Sequence, residues 1–243
     1  MWSRRTAGNG SFQKTSGLYT TGFSGLRTPG ARREPERRFR PMHGPHLMAY
    51  TDRDSLLGMF RRSGALLDGH FRLSSGLHSN GYLQCALVLQ DPGTAGVLGT
   101  MLAERVRHLF PATVLSPALG GVIIGHEVAR GLGVRAIFAE RQDGRLLLRR
   151  GFSLAPRERV VVVEDVVTTG LSTGETIEVA RAAGAEVVGA AALVDRSGGR
   201  ASLDVPFAAL LAVDLPTWDP AACPLCGQGL EIVKPGSRTP SHP

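Results

Sequence analysis

Long apolar runs and cysteine are both scarce in this sequence. No apolar run approaches the roughly 18–20 residues that a membrane-spanning helix needs, so we expect neither a membrane segment nor a membrane partner. Three cysteines in 243 residues exclude a scaffold held by disulfides and favour a reducing, cytoplasmic compartment. The apolar content of 42% is nevertheless enough for an ordinary buried core.

Acidic residues are scarce only at the beginning of the chain. Residues 1–41 hold eight arginines, one lysine and two glutamates, which account for the whole net charge of +7. The remainder is electrically neutral, and this opposes a nucleic-acid partner. We interpret residues 1–47 as a disordered basic extension, because they mix Ser, Gly, Pro and Arg without an apolar period. The extension is either a leader similar to a transit peptide or a stretch upstream of a native start at Met42 or Met48.

Short apolar stretches alternate with helical patterns between residues 113 and 213. Four consecutive valines, from Val160 to Val163, are typical of a strand that is covered on both faces. Helices are predicted on either side of it, over residues 122–131 and 172–183. This alternation predicts an α/β fold with a central, mostly parallel sheet flanked by helices. Ligands of such a fold bind at the carboxyl ends of the strands.

The segment after the four valines has the features of a phosphate site. Ser172 and Glu175 have the S-x-x-E spacing of a capping box, which predicts a helix start at this point. Backbone N–H groups and the dipole at a helix N-terminus attract phosphate. Gly170 permits the positive φ that such a loop needs. The loop also offers three hydroxyl groups, those of Thr168, Thr169 and Ser172.

An acidic pair, Glu164 and Asp165, stands between the valines and this loop. Two carboxylates beside a phosphate would repel it, so they need a different partner. The vicinal hydroxyls of a ribose fit, because a carboxylate accepts both hydrogen bonds strongly. The alternative is an acidic pair at a solvated strand end.

This segment resembles the signature with which type I phosphoribosyltransferases bind phosphoribosyl pyrophosphate (PRPP). The wider chain, over about residues 50–238, resembles the orotate phosphoribosyltransferases in four further segments: residues 69–79, 116–130, 138–141 with 148–152, and 192–196. The resemblance implies a phosphoribosyltransferase domain over residues 48–243, with a small N-terminal hood and a C-terminal tail over residues 215–243. It also implies transfer of the 5-phosphoribosyl group of PRPP to orotate. The products would be pyrophosphate and orotidine 5′-monophosphate, in de novo pyrimidine (UMP) biosynthesis.

The resemblance assigns roles to the site residues. The pyrophosphate would meet backbone N–H groups of the loop that contains Ala118, Leu119, Gly120 and Gly121. Arg196 would pair with the orotate carboxylate through its planar fork, and Thr168 would also touch orotate. The ribose hydroxyls and the 5′-phosphate would be held by Glu164, Asp165, Val166, Val167, Thr168, Thr169, Gly170, Leu171 and Ser172.

Lysine is scarce as well, and this affects the expected catalytic residues. The resemblance implies that Arg141 belongs to a mobile loop over residues 141–150, which closes over PRPP and is shared across a homodimer interface. The alternative is a solvated β-hairpin. Members of the family commonly carry a lysine in this loop, but this chain has only Lys14 and Lys234. Arg145 is its natural substitute, so Arg141 and Arg145 are the catalytic candidates.

A magnesium ion is the expected cofactor. It would be held mainly by the substrate, with no protein ligand. Two other functions remain as alternatives to the orotate enzyme. One is a phosphoribosyltransferase for another base, such as a purine, and the other is a regulatory protein that senses PRPP.

Cys223 and Cys226 form a C-x2-C pair that is similar to half of a zinc ribbon. A structural zinc site needs four ligands, and no second pair is recognisable, so a metal there would be shared between two chains. His70 and His78 are interpreted as polar residues at the surface or at the edge of the core. Cys85 is interpreted as a small core residue in a strand.

Overall fold

The computed structural model describes residues 52–235, so the predicted basic extension over residues 1–47 lies outside the described residues. The strands are β1 (Leu66–Arg72), β2 (His78–Leu83), β3 (Thr113–Pro117), β4 (Arg135–Gln142), β5 (Arg145–Leu148), β6 (Arg159–Val167), β7 (Glu186–Asp195), β8 (Phe207–Ala212) and β9 (Thr217–Trp218). The helices are α1 (Arg53–Arg62), α2 (Ala86–Leu89), α3 (Pro92–Val106), α4 (Gly120–Leu132), α5 (Leu171–Ala182) and α6 (Pro224–Gly227).

Six strands form the main sheet, in the order β5-β4-β3-β6-β7-β8. Every neighbouring pair is parallel except β4 and β5, which confirms the predicted mostly parallel sheet. The exception is a β-hairpin that turns at Asp143 and Gly144, with φ of 50° and 80°. The segment predicted as a mobile loop thus has the form of the alternative, a hairpin, and its movement stays a prediction.

The four valines of β6 show that both faces of the sheet are covered. Val160, Val161, Val162 and Val163 are all fully buried. Since side chains alternate along a strand, Val161 and Val163 face one layer while Val160 and Val162 face the other. The first layer contains α3 and α4, and the second contains α5. The predicted α/β architecture with helices on both sides is confirmed.

Helices α3 and α4 touch through their backbones. A Cβ atom added at Gly99 would lie 2.4 Å from Cβ of Glu127 and 2.7 Å from its carbonyl carbon. A Cβ atom at Gly96 would lie 2.6 Å from Nη2 of Arg130. These glycines therefore let α4 lie close against α3, and the contact fixes the position of the loop that precedes α4.

Two helix starts are capped by aspartate side chains. The Asp52 side chain accepts a hydrogen bond from the Ser55 amide at 2.9 Å, and α1 begins at the next residue. Asp91 accepts from the Thr94 amide at 2.6 Å and is followed by a proline at the first position of α3. The prediction of a strand at Cys85 is wrong. This residue is buried as expected, but it directly precedes α2.

A second, three-stranded sheet has the order β1-β2-β9 and is antiparallel. Strand β9 comes from the C-terminal segment, which returns to β1 through a bridge between Phe71 and Val233. The role of this sheet as the predicted hood stays a prediction. Among the helices between residues 52 and 235, none has the length and hydropathy that a membrane crossing requires.

Candidate active site

The acidic pair lies inside β6, since this strand continues to Val167 instead of ending at the valines. Neighbouring residues of a strand point to opposite faces, so the two carboxylates approach different helices. Glu164 faces α5, where the Ser172 hydroxyl donates to Oε2 at 3.0 Å. Asp165 faces α4, because a Cβ atom at Gly120 would lie 2.6 Å from its Oδ1. Together the acids connect the starts of both helices.

Burial makes both carboxylic acids hard to ionise. Only 5% of Glu164 is exposed. Loss of water, reinforced by the charge of Asp165, raises the pKa of Glu164 to about 8. Burial also raises the pKa of Asp165. A ligand that donates hydrogen bonds to these oxygens would favour the ionised form, so the pair suits a partner with adjacent hydroxyls.

Helix α5 begins after Gly170, which has the predicted positive φ, but the predicted capping box of Ser172 and Glu175 is not formed. Gly170 is the N-cap residue with φ of 82°, and the Leu171 amide donates to Oγ1 of Thr169 at 3.3 Å. The capping box is wrong because tertiary partners take both of its side chains. Ser172 donates to Glu164, and Glu175 pairs with Arg141. Sequence spacing cannot reveal such a competition.

A cavity of about 290 Å³ lies between the ends of β3 and β6 and the starts of α4 and α5. Both acids therefore face a cavity and are not a solvated strand end. It is lined by Pro117, Ala118, Gly120, Arg141, Leu146, Glu164, Asp165, Val166 and Ser172.

The remaining residues of the predicted phosphate loop lie in the sequence between Val166 and Ser172, which line the cavity. Thr168, Thr169 and Leu171 are exposed, and Gly170 is partly exposed. The Val167 side chain is buried in the core, with 1% exposed, so only its backbone can contact a ligand. The loop therefore presents hydroxyl groups and the amides of a helix start to solvent, next to the acids.

The loop between β3 and α4 is the predicted pyrophosphate loop. The Ala118 amide donates to the Ala139 carbonyl at 2.8 Å, so it is already engaged. Gly120 and Gly121 occupy the first turn of α4, where amides lack intrahelical acceptors. A Cβ atom at Gly121 would lie 2.8 Å from the Val163 carbonyl oxygen. Leu119 is 88% exposed, and the peptide between it and Ala118 is cis.

The two arginines proposed for catalysis lie in different places. Arg141 lines the cavity, donates to the Gly144 carbonyl at 2.6 Å and pairs with Glu175. Arg145 is exposed and lines a separate, mainly apolar groove of about 620 Å³ between β5 and α5. The structure therefore brings Arg141, but not Arg145, to the acids. Glu175 is a site residue that sequence reasoning missed, because only the fold brings it to an arginine 34 residues away.

Arg196 directly follows β7, beside the end of β6. Its amide donates to the Val167 carbonyl at 2.8 Å, which places it next to the hydroxyl loop. Partial burial lowers the pKa of its guanidinium. Between residues 52 and 235 this guanidinium has no hydrogen-bond or ion-pair partner. A partly buried cation without a partner is a ready site for an anion.

The chain is similar to known phosphoribosyltransferases. Residues 88–219 match the model of the phosphoribosyl transferase domain. The orotate phosphoribosyltransferase of Desulforamulus reducens is 54% identical over 187 residues, which cover 77% of this chain and 98% of that protein. The orotate phosphoribosyltransferase of Novosphingobium aromaticivorans is 54% identical over 189 residues, covering 76% and 97%.

Solved structures agree with these relatives. The orotate phosphoribosyltransferase of Aeropyrum pernix is 30% identical, with a TM-score of 0.52, over 65% of this chain and 93% of that one. The Mycobacterium tuberculosis enzyme in complex with PRPP is 25% identical, with a TM-score of 0.53, over 66% and 95%. The near-complete coverage of the relatives and the acid-lined cavity lead to one conclusion: the chain belongs to the orotate phosphoribosyltransferase family.

Proposed function

We propose that this protein transfers the 5-phosphoribosyl group of PRPP to orotate, giving orotidine 5′-monophosphate and pyrophosphate in UMP biosynthesis. The observation that carries the proposal is the acidic pair at the cavity, with Glu164 buried and Asp165 half-buried, beside the first turns of two helices. The N-terminus of α5 suits the 5′-phosphate, and the N-terminus of α4 suits the pyrophosphate. The acids between them suit the sugar that joins these two groups.

PRPP would bind with its ribose hydroxyls on Glu164 and Asp165. Each hydroxyl donates to a carboxylate oxygen, and such charge-assisted bonds compensate for the buried negative charge. The 5′-phosphate would receive the hydroxyls of Thr168, Thr169 and Ser172 and the amides around Gly170. The pyrophosphate would receive amides of the α4 start, with those of Gly120 and Gly121 in place of the engaged amide of Ala118.

Orotate would be held by Arg196. Its guanidinium lies next to the hydroxyl loop and lacks a partner within the described part of the chain, so a planar carboxylate can occupy its fork. Thr168 is the residue of the phosphate loop that directly follows Val167, whose carbonyl accepts from the Arg196 amide, so it would contact either substrate. An enzyme for adenine or hypoxanthine has no substrate carboxylate for this arginine.

Charge stabilisation would be the main contribution of the protein to the reaction. As the bond at the ribose C1 breaks, positive charge develops on the sugar and the pyrophosphate leaves as a polyanion. Arg141, a cation in the lining of the cavity, would stabilise the negative charge on the pyrophosphate. Glu175 competes for it, so Arg141 must exchange this partner for the pyrophosphate. Arg145 would reach the site if the hairpin tip moved, and we propose that this hairpin acts as the lid.

A magnesium ion would bring further positive charge to the pyrophosphate. Carboxylate oxygens, the ligand type that magnesium prefers, are present in Glu164 and Asp165. Both oxygens of Glu164 already accept a hydrogen bond, from the Ser172 hydroxyl at 3.0 Å and from the Asp165 amide at 3.3 Å, and one oxygen of Asp165 accepts from the Val166 amide at 3.0 Å. The residues therefore fit a metal that takes most of its ligands from substrate and water.

We also propose a homodimer in the cytoplasm. The three cysteines are unpaired, as a reducing compartment requires. The hairpin exposes 44% of Leu147, and the apolar groove beside it leaves a surface that a second copy would cover. Arg145→Ala and Glu164→Gln proteins, each impaired alone, should restore activity when mixed if the hairpin of one subunit serves the cavity of its partner. Failure of mixed dimers to regain activity would oppose this sharing.

The activity is tested by the loss of orotate absorbance after addition of PRPP and magnesium. Turnover of adenine or hypoxanthine without orotate would identify the purine alternative, and PRPP binding without any turnover would identify the sensor. Arg196→Ala should raise the KM for orotate at least about tenfold, the effect of losing about 1.4 kcal/mol, and leave the affinity for PRPP nearly unchanged. Arg200→Ala, a change of an exposed arginine in the same loop, is the control. Equal losses for both substrates would refute the role of Arg196.

A further inference from the structure

Four side chains from the two ends of the described sequence lie close together, outside the lining of the acidic cavity. They are His70 of β1, His78 of β2, and Cys223 and Cys226 at α6. One nitrogen or sulfur atom of each lies within 4.8 Å of the other three. His70, His78 and Cys223 are buried, and Cys226 is exposed. The histidines are therefore not surface residues, and the C-x2-C pair lies close to a second pair of candidate ligands in the same chain.

The separations of these atoms match a tetrahedral metal site. His70 Nε2 and His78 Nδ1 are 3.1 Å apart. Cys223 Sγ lies 3.5 Å from His70 Nε2, and Cys226 Sγ lies 3.8 Å from it and 3.3 Å from His78 Nδ1. Tetrahedral zinc, with bonds of about 2.0–2.1 Å to nitrogen and about 2.3 Å to sulfur, separates two nitrogens by about 3.3 Å and nitrogen from sulfur by about 3.6 Å. The four separations given above lie within about 0.3 Å of these values, and the separations of Cys223 from Cys226 and from His78 do not exceed 4.8 Å.

The orientation of His70 also suits a metal ligand. Its Nδ1 lies 2.9 Å from the Leu230 carbonyl oxygen. A carbonyl only accepts hydrogen bonds, so Nδ1 carries the proton and the lone pair of Nε2 points at the other three side chains. A carbonyl on the outer nitrogen is the usual support of a histidine that binds a metal. A hydrogen bond between the histidines alone would leave both thiols directed at the same point without a strong partner.

The surroundings show what such an ion would do. Between β2 and β9 the pairing is short, involving His78 with Trp218 and Ser79 with Thr217. Beyond it, the C-terminal segment exposes 49% of Leu230 and 50% of Val233, so apolar burial holds it weakly. A metal would connect this segment to the hairpin of β1 and β2 across about 150 residues of chain.

We propose that His70, His78, Cys223 and Cys226 bind one structural zinc ion that anchors the C-terminal segment to the β1–β2 hairpin. Two thiolates with two imidazoles are a donor set that selects zinc. With four protein ligands the ion has no open position, which is the property of a structural site and not of a catalytic one. The proposal is independent of the orotate reaction, since it concerns residues outside the acidic cavity.

The test is the metal content of the full chain, purified without a histidine tag under reducing conditions and incubated with zinc. We expect about one zinc per chain by elemental analysis, the content of a single closed site. Substitution with cobalt should give the intense visible absorption of a tetrahedral thiolate site. A chelator should lower the Tm of the wild-type protein.

Variants separate the site from adventitious binding. Cys226→Ser and His78→Ala should lose most of the zinc, while Cys85→Ser and His126→Ala, which change residues outside the cluster, should retain it. Should a site variant fail to fold, titration of the wild-type thiols provides a second measurement, because zinc must protect Cys223 and Cys226 from alkylation. The proposal is overturned if the reduced wild-type protein takes up no zinc, if site and control variants hold equal amounts, or if the two cysteines form a disulfide instead.

Discussion

The buried acid Glu164 should make the stability of the protein fall as the pH rises. Its pKa is about 8 in the folded protein, against 4.5 for an ordinary glutamate. Between these two values the folded chain keeps a proton that the unfolded chain has lost. The contribution of Glu164 to the stability of the protein is therefore fully present below about pH 4.5 and is lost as the pH rises through about 8.

The size of this effect follows from the same shift. One pKa unit corresponds to about 1.4 kcal/mol, so a single group with this shift lowers the free energy of unfolding by up to about 5 kcal/mol across the interval. The Glu164→Gln substitution removes the charge at every pH, while its amide oxygen still accepts from Ser172. We expect the variant to equal the wild type near pH 5 and to be clearly more stable near pH 8.5.

Urea unfolding followed by circular dichroism between pH 5 and pH 9 measures this difference. Glu178→Gln is the matched control, since Glu178 lies on the exposed side of α5 and pairs with Arg181. The control should keep the pH dependence of the wild type. Parallel stability curves for the wild type and Glu164→Gln would refute the assignment of Glu164 as a buried acid that holds its proton.

Four further substitutions test other parts of the structure. Gly120→Ala should weaken PRPP binding at least about tenfold, because the added Cβ displaces Asp165; titration calorimetry measures this affinity. In Gly174→Ala the added Cβ meets nothing within 4 Å, so this variant should be more stable by about 0.5–1 kcal/mol, as measured by scanning calorimetry. Gly99→Ala should lower the free energy of unfolding by about 1–3 kcal/mol, because the added Cβ forces α3 away from α4; urea unfolding measures this change. Glu175→Gln should tighten PRPP binding by at most about fivefold, since it frees Arg141 from an exposed pair worth about 0.2–1 kcal/mol. Unchanged affinities or stabilities would contradict each argument.

The elements that depend on local chemistry were predictable from the sequence. Asp52 and Asp91 are of a residue type that favours the N-cap, and they lie at the starts of α1 and α3. Gly170 takes the positive φ that its loop requires. The buried valines of β6 gave the centre of the sheet, because only a strand covered on both faces is apolar at every position. The acids near the carboxyl end of that strand line the cavity between α4 and α5.

Features that depend on distant partners were not predictable. The Ser172 and Glu175 spacing fits a capping box, but Glu164 and Arg141 compete for these side chains from other elements. Likewise, the sequence shows no further ligands beside the cysteine pair, because the candidate ligands are histidines about 150 residues earlier in the chain. A spacing motif records neighbours in sequence, while both of these contacts are made by the fold.

The alternation of Glu164 and Asp165 along β6 has a mechanical consequence. One peptide separates the two carboxylates, yet each belongs to a different helical layer. A sugar held by both would act as a brace across the edge of the sheet, so that tilting either layer would pull on the same molecule. The affinity of the protein for such a sugar would thus depend on the angle between the two helical layers.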